Sequence, residues 1–107
     1  MIARIWHGTT AAKDYEAYTN ILEEIAIPDY TKTPGFKGLS FLRKIENVKA
    51  HFTLITYWES IDAIKNFAGS EFEKAKYYPI DNDYLLDFEE TVQHYDVFAS
   101  VGNIGNE

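Results

Sequence analysis

The side chains of this sequence best suited to chemistry are its histidines and a tyrosine-rich acidic loop. The loop reads AKYYPIDNDYL over residues 75–85. The phenols of Tyr77 and Tyr78 can donate a hydrogen bond to a substrate oxygen or to a developing oxyanion. His7 closes the first apolar run, IARIWHG. An imidazole titrating near about pH 6.5 suits a general base at neutral pH. The ordinary alternative is a strand-end histidine bonded to a neighbour. For the tyrosines it is one ring packed on a helix and the other solvated.

The Asp81-Asn82-Asp83 run invites a calcium reading and fails it. Counting from Asp81, an EF-hand loop needs an oxygen ligand, a glycine and a glutamate where this chain has Leu85, Leu86 and Val92. Asp and Asn bond readily to nearby backbone, so these residues are expected to make a turn, with their acids available to orient Tyr84 or His7. His51 and His94 fall on two later strands and can face each other, but no HxH or HxxxH spacing occurs, and zinc sites need more ligands. No metal is expected. Arg43 can clamp an acidic substrate or form an ion pair. The six glycines show neither GxGxxG nor P-loop spacing, so no nucleotide or flavin cofactor is expected.

These residues need elements to hold them. Residues 2–8 read as a strand, with Ile2, Arg4 and Trp6 on one face and Ala3, Ile5 and His7 on the other. The His7 face is assigned to the helices. Residues 11–26 carry Tyr15, Tyr18, Leu22 and Ile25 at helical steps, with Thr10 as N-cap and Pro28 as terminator. Residues 35–47 and 49–60 form a hairpin. Ser60 caps a second helix, IDAIKNFA, which Gly69 stops. Ser70 and Glu73 suggest a capping box for one further turn, ended by Pro79, and residues 91–101 read as the last strand. The order is that of an α+β, ferredoxin-like βαββαβ domain with a four-stranded antiparallel sheet. Its free sheet face, to which Phe41, Leu54, Trp58 and Val97 are assigned, is too apolar for water and predicts a homodimer, sheet against sheet.

The chain has 107 residues, the size of one domain, here taken as residues 1–101 with a polar tail at 102–107. Aromatic residues make up 16%, enough for a core shared with a pocket or an interface. A net charge of −7 argues against nucleic acid. There are no cysteines, which suits a reducing cytoplasm. The N-terminus does not read as a signal peptide, and no segment is apolar for long enough to span a membrane.

The hairpin ending in Tyr57-Trp58-Glu59-Ser60, the Ala/Ile/Phe helix after it and the Ser70–Ala75 segment resemble the antibiotic biosynthesis monooxygenase family. The W-x-S-x-x-A-[FI] segment, here Trp58, Ser60, Ala63 and Ile64, is the most specific piece. The resemblance implies a dimeric α+β barrel with a pocket between sheet and helices. It also implies a cofactor-independent monooxygenase acting on a small aromatic or polyketide-like compound. In that chemistry a base forms a substrate anion that reduces O2 directly. His7 is then the base and Tyr77 or Tyr78 holds the substrate oxygen. Phe67, Ile64 and Trp58 wall or support the pocket, and Tyr84 and Arg43 complete the substrate contacts. The haem-degrading branch pairs an Asn, a Trp and a His at positions that fall here on His7, Phe67 and Tyr77, none of which matches. The alternative is a non-catalytic barrel that binds a small hydrophobic ligand, or haem through a tyrosine.

Overall fold

The computed structural model describes residues 1–102; of the predicted tail, residues 103–107 lie outside the described residues. Strand β1 (Ile2–Ala11) runs through the middle of an antiparallel sheet. It pairs with β3 (Lys49–Trp58) along its whole length, and β3 pairs with β2 (Phe36–Glu46). The position on the other side of β1 is filled by two short strands, β4 (Asp87–Phe88) and β5 (Gln93–Asp96). The fold is the expected ferredoxin-like α+β arrangement, with its last strand broken in two. The long strand predicted over 91–101 shrinks to β5, because residues 73–75 and 90–92 pair with each other instead. Ala75 N–H donates to the Glu90 carbonyl and Val92 N–H to that of Glu73, each at 2.9 Å. That same pairing holds residues 71–78 out of the helix expected from the Ser70/Glu73 box.

The first helical segment, α1, covers residues 12–31. It is longer than its sequence pattern suggested. A 3-10 turn (Ala12–Asp14) leads into α-helix (Tyr15–Ile21), a π turn (Leu22–Ala26) and α-helix again (Ile27–Thr31). Pro28 therefore does not end it. Proline is tolerated in the first turn of a helix, where its missing N–H is not needed, and the π turn restarts the helix just before it. Thr10 does not cap it, since β1 continues to Ala11 and the Thr10 hydroxyl donates to the Ala11 carbonyl. Helix α2 (Ile61–Ala68) follows expectation. Ser60 Oγ accepts from Ala63 N–H at 3.1 Å, and Gly69 ends the helix at a φ of 86°. Asn47, at a φ of 61°, turns the β2–β3 hairpin, a left-handed conformation that Asn tolerates.

Both helices cover one face of the sheet. On that face β3 buries Ala50, Phe52, Leu54, Thr56 and Trp58, and β1 buries Arg4 and Trp6. Phe41, Leu54 and Trp58 thus pack under the helices and not on the free face as predicted. The free face carries Ile5, His7, Leu42, Thr53, Ile55 and Tyr57 instead, by strand alternation and register.

Gly35 joins α1 to β2 with a φ of 87°, and a β-carbon there would meet the Ala63 methyl at 2.3 Å. Both the left-handed backbone and the contact exclude a side chain. Gly35→Ala is expected to cost about 2 kcal/mol or more, measured as a lower midpoint in urea unfolding.

Candidate functional site

Between the helix-covered face of the sheet and α1 lies a cavity. Its floor is Arg4 and Trp6 from β1 and Leu54 from β3, which sits opposite Trp6 in the register. Its roof is Tyr18, Leu22, Ala26 and Tyr30, four residues of α1 spaced by four. In a regular α-helix each step of four overshoots a full turn by about 40°, so the last of them would drift out of line. The π turn at Leu22–Ala26 winds more slowly and sets that drift back. The outer wall is Lys76, Tyr77, Tyr78 and Asp81 from the loop before β4, with Val92.

The wall is fixed by polar contacts. Trp6 Nε1 donates to the Tyr77 hydroxyl at 2.7 Å, and that hydroxyl donates to the Glu89 carbonyl. Tyr78 donates to Asp29 Oδ2 at 2.6 Å, and Lys76 Nζ reaches the same oxygen at 2.8 Å. The buried Asp81 accepts from the Tyr18 hydroxyl at 2.9 Å and from Tyr78 N–H at 2.8 Å. The acid thus holds the 3-10 turn Pro79–Asp83, as turn chemistry predicts, and ties it to α1 as well. Burial raises the pKa of Tyr18, Tyr77 and Tyr78, and the nearby carboxylates add to it. All three are neutral phenols. Tyr30 is pushed up to about 12 by burial despite the opposing pull of Arg4.

Arg4 is 4% exposed. Its guanidinium donates to the Phe72 carbonyl, to the Lys74 carbonyl at 3.0 Å and to His94 Nε2 at 3.1 Å. Burial lowers its pKa. Burial and the Arg4 charge together lower that of His94, which accepts as a neutral imidazole.

The predicted residues divide between cavity and surroundings. Tyr77 and Tyr78 line it. Phe67 stacks on Tyr30 at 4.4 Å between ring centres, with Trp58 behind both. These two and the fully buried Ile64 are core that backs the wall. Tyr84 leans on the Tyr18 ring at 6.1 Å, outside the lining. Arg43 is held at the surface by Glu16 at 3.0 Å and Thr19 at 2.9 Å, over the Tyr15 ring, away from the cavity. His7 lies on the opposite face of the sheet. The register that turns Trp6 and Arg4 toward the helices turns His7 away, and its Nε2 sits 3.2 Å from His51 Nδ1. His51 and His94 are on opposite faces and do not meet. No cluster of His, Asp and Glu among the described residues can hold a metal, and no helix of those residues is long and apolar enough to cross a membrane. Arg4, Tyr18 and Tyr30 went unremarked as site residues. A charge inside an apolar strand and the four-residue spacing along α1 were the available signals.

No protein-family model matches the sequence, and no curated protein matches it. Solved structures do. A Bacillus cereus protein provisionally named as an antibiotic biosynthesis monooxygenase matches at a TM-score of 0.66 and 20% identity, over 95% of this chain and 97% of that one. A Nitrosomonas europaea protein named in the same way matches at 0.65 and 12%, over 92% and 100%. The haem degrader MhuD of Mycobacterium tuberculosis, solved with two haems in its active site, matches at 0.54 and 18%, over 95% and 100%. The chain has the fold of these proteins, which bears out the resemblance read from the Trp58–Ile64 segment.

The Asp29 contacts carry a pH dependence. Burial alone would raise its pKa, but the hydrogen bonds from Lys76 and Tyr78 outweigh that and hold it below the usual carboxylate range. A depressed carboxylate stabilises the fold above its unfolded pKa of about 3.9 and loses that contribution as pH falls through the folded value. Unfolding free energy is therefore expected to drop below about pH 4, and Asp29→Asn to flatten that part of the profile in urea titrations.

Proposed function

We propose that this chain binds a small aromatic compound in the cavity between sheet and α1 and oxygenates it without metal or flavin. The observation that carries this reading is the cavity itself. It combines aromatic walls with a few placed polar groups, among them neutral phenols, which is the usual make-up of a small-ligand site. The names of the fold neighbours supply the reaction class. In this structure the partly open cavity holds about 30 Å³ of free space, roughly twice what one water molecule needs. Substrate entry therefore requires the Tyr77–Tyr78 wall to swing outward.

No histidine lines the cavity, so the base expected at His7 would act from the wrong side of the sheet. The reading tested is one in which the cavity favours the substrate anion by its hydrogen-bond donors, the Tyr77 hydroxyl turning from the Glu89 carbonyl to the substrate. With anthrones and hydroquinones and with metals chelated, oxygen uptake is expected to persist within about twofold in His7→Ala and to fall by about tenfold or more in Tyr77→Phe. Collapse in the histidine variant alone would move the chemistry to the free face.

A second reading is haem binding, favoured by the haem-bound fold neighbour. A Soret band on adding haem, lost in Tyr77→Phe, would support it. The raised pKa of Tyr77 disfavours the phenolate that iron would need.

The assembly proposed is a homodimer through the free sheet face. Leu42 is 50% exposed there, beside Ile55, Tyr57 and Val101 in a shallow groove, and apolar surface of this kind marks an interface. Sedimentation is expected to show two copies for the native chain and one for Leu42→Asp.

A further inference from the structure

Arg4 is a buried cation without an anion. Among the described residues no carboxylate comes within ion-pair distance of it; the ion pairs present use Lys32, Arg43, Lys44, Lys49, His51, Lys74 and Lys76. Taking a guanidinium out of water is costly unless its charge is balanced. A guanidinium has five N–H donors. The Phe72 and Lys74 carbonyls and His94 occupy three of them. These partners are neutral, so the donors are partly satisfied while the charge is not balanced. The other groups around it do not balance it either. α1 presents the neutral phenol of Tyr30, and α2 presents the Phe67 ring 5.9 Å from the guanidinium carbon.

Tyr30 supplies a second, independent observation. Its ring is buried, yet its hydroxyl makes no hydrogen bond among the described residues. No fully enclosed side-chain nitrogen or oxygen there lacks a partner. The hydroxyl therefore opens onto the cavity that it lines with Arg4. A neutral phenol can donate its proton to an acceptor placed there. Lys76 adds a second cation to the lining, although Asp29 already engages it at 2.8 Å. All this stands in a chain of net charge −7, whose overall field repels anions. The cavity floor carries the positive charge of Arg4, while the one carboxylate of the lining, Asp81 in the outer wall, is already engaged by the Tyr18 hydroxyl and the Tyr78 N–H.

We propose that Arg4 and the Tyr30 hydroxyl form an anion subsite, and that the ligand of this cavity is an aromatic acid whose carboxylate sits between them. The planar fork of the guanidinium matches the two oxygens of a carboxylate. With the carboxylate on the floor beside Arg4, the ring lies toward Tyr77 and Tyr78, where outward movement of that wall makes room for it. This rests on the reading that the cavity is the ligand site, and it adds the charge of the ligand to that reading.

The test compares benzoate and naphthoate with their amides, which match them in shape and lack the charge. Binding is followed by NMR at the indole N–H of Trp6, which lies in the cavity floor and donates to the Tyr77 hydroxyl of the wall. The acids are expected to bind about tenfold to a hundredfold more tightly than the amides, as a charge-assisted hydrogen bond implies. That preference is expected to shrink to about twofold in Arg4→Gln and severalfold in Tyr30→Phe, while amide binding is kept, which shows that the variants fold and retain the cavity. Equal binding of acids and amides by the native chain would overturn the anion subsite and leave the aromatic site standing. A Trp6 signal unmoved by any of the four compounds would overturn both. An acid preference that survives in Arg4→Gln would place the anion elsewhere and sink the assignment.

Discussion

The grip of the Arg4 guanidinium on the Phe72 and Lys74 carbonyls joins the central strand to the segment that closes the helix side of the molecule. Without it, residues 70–86 would be attached to the sheet chiefly by Trp6–Tyr77, the short β4 pairing and the backbone bonds of residues 73–75 with 90–92. The same contact brings His94 into line from β5. One side chain on β1 thus adds to the attachments that place the loop, and the loop in turn determines where Tyr77, Tyr78 and Asp81 can reach. A hydrophobic residue at this position would pack more cheaply. The charge accomplishes something that packing does not: it holds irregular backbone, whose carbonyls need donors, against a sheet face.

Polar contacts of the outer wall are graded in strength. The tie of Tyr18 to Asp81 is buried, and α1 and the 3-10 turn move together because of it. The Asp29 contacts of Lys76 and Tyr78 lie nearer the surface, where water competes for them. Of the wall's attachments, those at Asp29 are the ones that solvent can replace at least cost. The wall can therefore yield at its rim while its base stays in place.

Much of the fold could be read from the residues. The β2–β3 hairpin, the Ser60 cap and the Gly69 stop follow from local chemistry that tertiary structure had no reason to override. The faces of β1 were a different matter. Strand alternation gives two faces but not their assignment, and IARIWHG is apolar in both phases, with Ile2 and Trp6 on one and Ala3 and Ile5 on the other. Only the pairing of Trp6 with Leu54 and of Arg4 with Thr56 decides it. Assigning the His7 face to the helices fails because the register turns Arg4 and Trp6 toward them, and the charge of Arg4 is buried there. Pro28 misled for a related reason: a proline stops a helix only if its missing N–H was needed, and a π turn placed before it removes that need. The loop tyrosines are legible because their type and clustering survive any backbone path, while Tyr30 is marked only by its four-residue spacing from Ala26 and reaches the roof only through the π turn.

The π turn also couples the length of the chain to the shape of the cavity. A wide turn in a helix accommodates one residue more than the regular winding of the same length would. Removing a single residue between Leu22 and Ala26 would let the helix close into uniform α geometry, and the two halves of α1 would keep their facing, because the winding and the residue number change together. Removing a residue from the regular turns while the π turn stays would instead rotate the second half of α1 by roughly 100° about its axis, carrying Tyr30 off the roof and Asp29 away from Lys76 and Tyr78. The roof therefore tolerates a deletion at its widest turn and at no other place along the helix. Residue number and winding between Tyr18 and Tyr30 form one structural quantity, independent of which residues fill the interval.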